Sequence, residues 1–388
     1  MNNLAPIGII TYSRIDHLKK TINSLKKNNL AKYSQLYIFL DAPRTGDEDK
    51  VDIVRKYIHT IKGFNEVHII ERELNNLVMN SRLGLKYLLD NYGKCIFMED
   101  DNVVSERFLQ YMNDALEFFK NDKSIFAINA YNIPTTMSNT TLSSSFFKSR
   151  LFNAWGYATW KDRGLLDVLQ YYGQYTEIIK NKTLYQEIIK TYPLLIGVLK
   201  KIHDGVRDAG DSKLTFHLIK NNLYVIKPFI SFVNNIGHDG SGVNCNISNR
   251  YNNNELNLNS IIFKENIKYD EKMDKFYNSI VSINSKSINS NSLFSNYFNQ
   301  FYQQIKLIDG KILIYGNGTI GKTIRALIPD KIVYYVDIAD KEHHPYTLKN
   351  IVFDKILISV LGREEEIKNY LVNELDIDES MIITFNIL

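Results

Sequence analysis

Short apolar runs alternate with longer stretches of helical period over the first third of the chain. Ile7 to Thr11, Leu36 to Leu40, Val67 to Ile70, Cys95 to Met98 and Ile125 to Ala130 are brief and almost uninterrupted, the pattern of strands buried on both faces. Between them, His17 to Leu25 sets Leu18, Ile22 and Leu25 on one face with lysines opposite. Leu77 to Leu89 repeats the device with Leu83, Leu85, Leu88 and Leu89. Strand, helix, strand in this rhythm predicts a mostly parallel sheet covered by helices, an α/β fold.

From Leu151 to about Tyr224 the aromatic and helical content rises. Asn and Ser then dominate from Cys245 to about Gln300, a linker-like composition in which Ile261 to Phe263 and Met273 to Ile283 are apolar enough for short packed pieces. After it the rhythm resumes. Lys311 to Tyr315, Ile332 to Val336, Ile356 to Val360 and Met381 to Phe385 read as strands, with helices ending at Leu327 and spanning Glu364 to Leu375. A length of 388 residues is too much for one ordinary domain. The expected division is a domain over 1–244, a linker over 245–303 and a smaller α/β domain over 304–388.

Composition narrows the function classes. With 47 basic against 43 acidic side chains, nucleic acid is not the expected partner. The two cysteines, Cys95 and Cys245, lack any metal-ligand spacing and suit a reducing compartment. The start of the chain shows no export-signal pattern, and no apolar run approaches the roughly 18 to 20 residues that span a bilayer. The expected location is the cytoplasm, with peripheral contact at the inner face of the cell membrane left open. The abundance of tyrosine and phenylalanine fits a biased genome more readily than a set of ligand contacts.

The strongest chemical signal is Glu99-Asp100-Asp101, directly after the run ending at Met98. In a parallel α/β sheet, ligands gather outside the carboxyl ends of strands. Adjacent carboxylates repel one another, and a hard cation such as Mn²⁺ or Mg²⁺ would relieve that repulsion while bridging to a diphosphate. A solvated acidic turn is the plainer alternative.

These residues carry a resemblance. Pro6-Ile7-Gly8-Ile9-Ile10-Thr11-Tyr12-Ser13-Arg14 with the helix opening Asp16-His17-Leu18, and Leu40-Asp41-Ala42-Pro43, look like the first two strand ends of GT-A glycosyltransferases of the family 2 type. Glu99-Asp100-Asp101 falls at the place of their metal-binding motif, in the form seen in inverting N-acetylglucosaminyltransferases. Asn153-Ala154-Trp155-Gly156-Tyr157-Ala158-Thr159-Trp160 resembles the acceptor loop of bacterial members. The resemblance covers about residues 5 to 240. It implies a GT-A domain that moves a sugar from a nucleoside diphosphate donor, expected to be UDP, to a glycan or lipid-linked acceptor of the bacterial surface. Tyr12, Arg14, Asp41, Arg82, Glu99 and Asp100 would contact the donor, and Asp101 would ligate Mn²⁺ or Mg²⁺. One departure stands out: Asn75-Asn76-Leu77 replaces the usual Asn-Leu-Gly.

Inverting transfer needs a carboxylate to take the acceptor's proton. Asp211, at the start of a helical pattern through Leu214 and Leu218, is preferred over Asp208, although Gly210 stands where the family carries tryptophan and a helix-capping role fits Asp211 equally well on spacing. Trp155 and Trp160 would form the acceptor wall, or else pack in a core. His238, in a glycine-rich loop, would complete the metal shell, against the commoner reading of a structural loop histidine. In the last segment, Gly316, Gly318 and Gly321 follow a strand and Asp337 closes the next, most of a dinucleotide fingerprint. This segment resembles the small Rossmann-like modules appended to sugar-modifying enzymes, which pack, join copies into a homo-oligomer or bind a nucleotide. Two other readings compete: an NAD(P)-linked oxidoreductase centred on those glycines, and a non-catalytic nucleotide- or glycan-binding protein.

Overall fold

The computed structural model describes residues 4–134, 145–242, 247–248, 251, 255–259, 261–263, 267–285, 308–360 and 363–384. Cys245 and Phe385 lie outside them. The chain divides into two compact units, Met1–Asn278 and Ser279–Leu388.

In the first unit, strands β1 (Ile7–Thr11), β2 (Gln35–Leu40), β3 (Glu66–Glu71) and β4 (Lys94–Glu99) run parallel in the order β3-β2-β1-β4. Helices α1 (Ile15–Lys26), α2 (Glu48–Ile58) and α3 (Leu77–Tyr92) make the crossovers. Alternation along the strands feeds two cores. Ile7, Ile9, Ile38, Ile96 and Met98 meet Leu18, Ile22 and Leu25 of α1 on one face. Tyr37, Phe39, Cys95 and Phe97 meet Leu85, Leu88 and Leu89 of α3 on the other. Covering both faces is why these strands read as continuous apolar runs.

Beyond β4 the sheet becomes mixed. A short strand, β5 (Asn102–Val104), and helix α4 (Phe108–Phe118) precede β6 (Ile125–Asn129), β7 (Phe146–Ser149) and β8 (Tyr157–Trp160). Helices α5 (Leu165–Gln170), α6 (Gln174–Lys180), α7 (Lys182–Thr191), α8 (Leu195–His203) and α9 (Gly210–Asn221) then lead to β9 (Tyr224–Pro228) and β10 (Val233–Asn235). The large sheet continues β4-β8-β6-β9-β7, with β8 antiparallel to both neighbours, while β10 pairs with β5. Helix α10 (Glu271–Ser285) begins inside the Asn/Ser-rich stretch. Its Asp274 accepts hydrogen bonds from Ser149 Oγ at 2.5 Å and the Arg150 N–H at 3.0 Å, tying it to the edge strand β7. Among the described residues, no helix is long and apolar enough to cross a membrane.

The second unit holds β11 (Ile312–Tyr315), α11 (Thr319–Leu327), β12 (Ile332–Val336), β13 (Lys355–Ile358), α12 (Glu364–Asn373) and β14 (Ile382–Ile383). Its four strands are parallel in the order β12-β11-β13-β14. The glycine turn after β11 is tight: Gly316 takes φ +110°, and a Cβ on Gly321 would lie 2.0 Å from the Gly316 carbonyl oxygen.

Candidate active site

The chain steps from β1 through β2 to β3 in one direction and then returns to place β4 on the other side of β1. Strand order therefore reverses between β1 and β4, and the crevice outside their carboxyl ends is where an open α/β sheet receives ligands. Tyr12 and Arg14 leave β1 there, and Glu99, Asp100 and Asp101 leave β4 beside them.

Arg14 stands at the N-cap position of α1. Its Nη2 donates to one oxygen of Asp100 and, at 2.8 Å, to Oδ2 of Asp101. The two adjacent carboxylates thus converge on a single positive atom. Both are nearly buried, at 4% and 2% exposure. Thr11 Oγ1 donates to the other Asp100 oxygen at 3.1 Å, and Thr21 Oγ1 to its carbonyl at 2.8 Å. Oδ1 of Asp101 accepts from Asn102 at 2.8 Å and Asn235 at 3.1 Å. Burial raises the Asp100 carboxyl against the pull of Arg14. Burial likewise opposes the Arg14 charge, yet Asp100 and Asp101 hold the guanidinium above its ordinary value. Gly237 closes over the pair: a Cβ there would sit 2.1 Å from Oδ2 of Asp101 and would have to displace that carboxylate.

On the side of β1 and β2, Tyr12 donates through its hydroxyl to Asp47 at 3.0 Å and accepts from the Arg44 N–H at 2.9 Å. Asp41 is buried, and its carboxylate accepts from the N–H groups of Ala42 and Asn76 and from Asn75 Nδ2. The Asn75-Asn76-Leu77 departure explains itself here. Asn75 bonds the Ala42 carbonyl at 2.7 Å, and Asn76 caps α3 by accepting from the Met79 N–H at 2.9 Å. Asp41 therefore braces the loop that faces the crevice. Arg44, in the loop after β2, donates to Asn75 at 2.8 Å and had no signal of its own in the sequence.

On the opposite side, the N-cap position of α9 is Ala209 and no side chain caps the helix, so Asp211 is not a cap. It is solvent-accessible, yet surrounding protein desolvates its carboxyl and raises it above the usual carboxylate range. Glu99 is pushed well above that range, first by burial and then by the charges of Asp101, Asp211 and Asp100. Asp208 is the reverse case. Arg82 Nη2 donates to it at 2.6 Å, the Tyr172 hydroxyl at 2.8 Å, and Lys213 Nζ lies 3.0 Å away. Although burial opposes ionisation of Asp208, the bonds from Lys213 and Tyr172 hold its carboxyl below the ordinary value. Arg82 thus reaches Asp208, where the sequence suggested a donor contact.

The tryptophans part company. Trp160 is 7% exposed, its Nε1 donates to the Leu116 carbonyl at 3.2 Å, and the Arg163 guanidinium stacks 4.4 Å over its ring. It is a core residue, which corrects its expected place in an acceptor wall. Its position in β8, buried on both faces, is the reason. Trp155 is half-buried and lies edge-on to Tyr131 at 4.6 Å, His238 at 5.2 Å and Tyr251 at 5.6 Å. The His238 ring also packs on Tyr251 at 4.5 Å. Among the described residues no three His, Cys, Asp or Glu side chains gather as a cation site. What fits a divalent ion is narrower: two hard oxygens, from Asp100 and Asp101, already aimed at one positive charge.

In the second unit, Asp337 accepts from the Asn317 N–H at 2.7 Å and the Ala339 N–H at 2.9 Å, and Arg325 reaches back to Asn317. Gly318 faces open space. The acid of the fingerprint therefore holds its own turn.

No protein-family model and no curated protein matches the chain. Among solved structures it is similar to TarS of S. aureus in complex with UDP, at 12% identity over 59% of each chain with a TM-score of 0.35. It is also similar to the mannosyltransferase PcManGT of Pyrobaculum calidifontis in complex with GDP-Man and Mn²⁺, at 13% identity over 55% of this chain and 68% of that one, TM-score 0.33. A cytidylyltransferase of Leptospira borgpetersenii matches at 15% identity over 42% and 63%, TM-score 0.26. The chain spans about half, 48%, of the TarS 1–349 structure it matches.

Proposed function

We propose that the first unit is a GT-A glycosyltransferase that takes a nucleoside diphosphate sugar, UDP-linked by preference, and transfers the sugar with inversion to a glycan acceptor. The observation that carries this reading is the convergence of Asp100 and Asp101 on Arg14 at the strand-order reversal, with the raised carboxyl of Asp211 across the crevice. A guanidinium suits paired phosphate oxygens, so Arg14 would exchange its carboxylate partners for the donor's diphosphate. Asp100 and Asp101 would hold Mn²⁺ or Mg²⁺, which supplies charge stabilisation to the departing diphosphate. Glu99, at the end of β4 beside them, would orient a sugar hydroxyl. Asp211 is accessible and takes the proton of the attacking hydroxyl. Asp208 is unsuited to that task, because Arg82, Tyr172 and Lys213 already occupy it. Trp155 and Tyr251, both half-buried, offer aromatic surface for the C–H face of an acceptor ring, with the buried Tyr131 behind Trp155.

A thermal-shift panel of UDP-, GDP- and dTDP-sugars with and without Mn²⁺ tests the reading. A ligand at about 100 times its dissociation constant adds about 2.7 kcal/mol of stability. Stabilisation by one nucleotide class, greater with Mn²⁺, is the expected result. Stabilisation by NADH and by none of the nucleotide sugars would replace this reading with the oxidoreductase one.

A further inference from the structure

Asp208 is the hub of a charged cluster that the chemistry above does not use. Lys213 is completely buried, at 0% exposure, and a buried ammonium survives only when paired. Its partners are the Asp208 carboxylate at 3.0 Å, the Leu169 carbonyl at 3.0 Å and the face of Tyr172, whose ring centroid lies 3.3 Å away. Tyr172 also donates to Asp208 at 2.8 Å and accepts from Arg82 at 3.2 Å, so the four side chains close on one another. Arg82 reaches this hub from α3, the helix whose first turn is fixed by the Asp41 loop on the donor side.

The placement brackets Asp211. Asp208 precedes it by three residues, through the extended Ala209 and the first helical residue Gly210, and Lys213 follows it by two within the first turn of α9. Resting on the reading of Asp211 as base, we infer that Arg82 and Lys213 are positioning residues. Acting through Asp208, they fix the start of α9 and so set the distance between the base and the donor crevice. Arg82 is then a strut between the two halves of the site, and its contact is with protein rather than with donor.

The test uses the full chain and the one of UDP-glucose, UDP-galactose and UDP-N-acetylglucosamine that wild type hydrolyses fastest, with water as acceptor. UDP release gives kcat, and calorimetry gives the UDP dissociation constant, for R82Q, R82K, K213M and D211N. A base misplaced by about 1 Å can cost on the order of 10²-fold in rate. R82Q and K213M should therefore lose about 10-fold or more in kcat while UDP affinity stays within about 2-fold, and R82K should recover most of the rate. R82Q keeps the test decisive should K213M fail to fold. A 10-fold weaker UDP affinity in R82Q at unchanged kcat would make Arg82 a donor contact and overturn the inference. Unchanged kcat in R82Q and K213M, with D211N impaired, would overturn it too and leave the base standing. Full turnover by D211N is the separate outcome that removes the base itself.

Discussion

Adding one methyl group at Gly237 tests whether Arg14 and the carboxylate pair form the site for the donor's diphosphate and its metal. The backbone there is not in the left-handed region, so alanine is conformationally allowed and the effect is purely steric. The new Cβ would lie 2.1 Å from Oδ2 of Asp101, 2.9 Å from its Cγ and 3.0 Å from Nη1 of Arg14. Restoring ordinary contact moves the Asp101 carboxylate by about 1 Å or more. That movement breaks the 2.8 Å bond to Arg14 and strains those from Asn102 and Asn235. A hydrogen bond to a charged group contributes about 1.5–3 kcal/mol. Because the displaced Asp101 carboxylate is one that would hold the metal against the diphosphate, a loss of that size should make Gly237→Ala weaken Mn²⁺-dependent UDP binding by roughly 10- to 150-fold in calorimetry, and overpacking should cost about 1–3 kcal/mol of stability. Gly197→Ala is the control. Nothing lies within 4 Å of its Cβ, it sits in α8, and alanine there should stabilise by about 0.5–1 kcal/mol without touching UDP affinity. A Gly237→Ala protein that binds UDP as wild type does and melts normally would refute the assignment of this crevice.

Asp211→Asn should reduce UDP release by about 10²-fold or more, and the wild-type rate should rise with pH through a limb displaced above the ordinary carboxylate value, since the surrounding protein desolvates this accessible acid. A variant that keeps the same limb would place the base elsewhere. Trp160→Ala should cost about 3–5 kcal/mol in denaturant unfolding, whereas truncation of the half-buried Trp155 should cost clearly less; equal losses would contradict their different surroundings. Lys227 is buried and depressed to about 8 from 10.5, so between those values the unfolded chain holds a proton that the folded one has released. Its contribution to stability rises with pH across that window, and the melting temperature of wild type relative to Lys227→Met should rise from about pH 7.5 to about pH 9.5. A difference independent of pH would show that Lys227 stays charged in the fold.

The strands of the parallel half were legible because a strand covered on both faces must be apolar at successive positions, and its covering helix must repeat every 3.6 residues. These are local constraints, written residue by residue. Glu99-Asp100-Asp101 was legible for the same reason, standing where the run of β4 stops. What the sequence left open was the fate of each polar or aromatic side chain once partners arrive from far along the chain. Asp208 and Asp211 look alike in the sequence, and Arg82, 126 residues before Asp208, makes one a hub and leaves the other accessible. Trp155 and Trp160 sit five positions apart, yet the second enters a strand roofed by Arg163 and bonded to Leu116 of α4. Asp274 counts as linker by composition until Ser149, 125 residues away, donates to it. Periodicity follows from backbone geometry within a few residues, but the pairing of a buried charge is settled only by tertiary structure, because its partner is chosen by proximity in space.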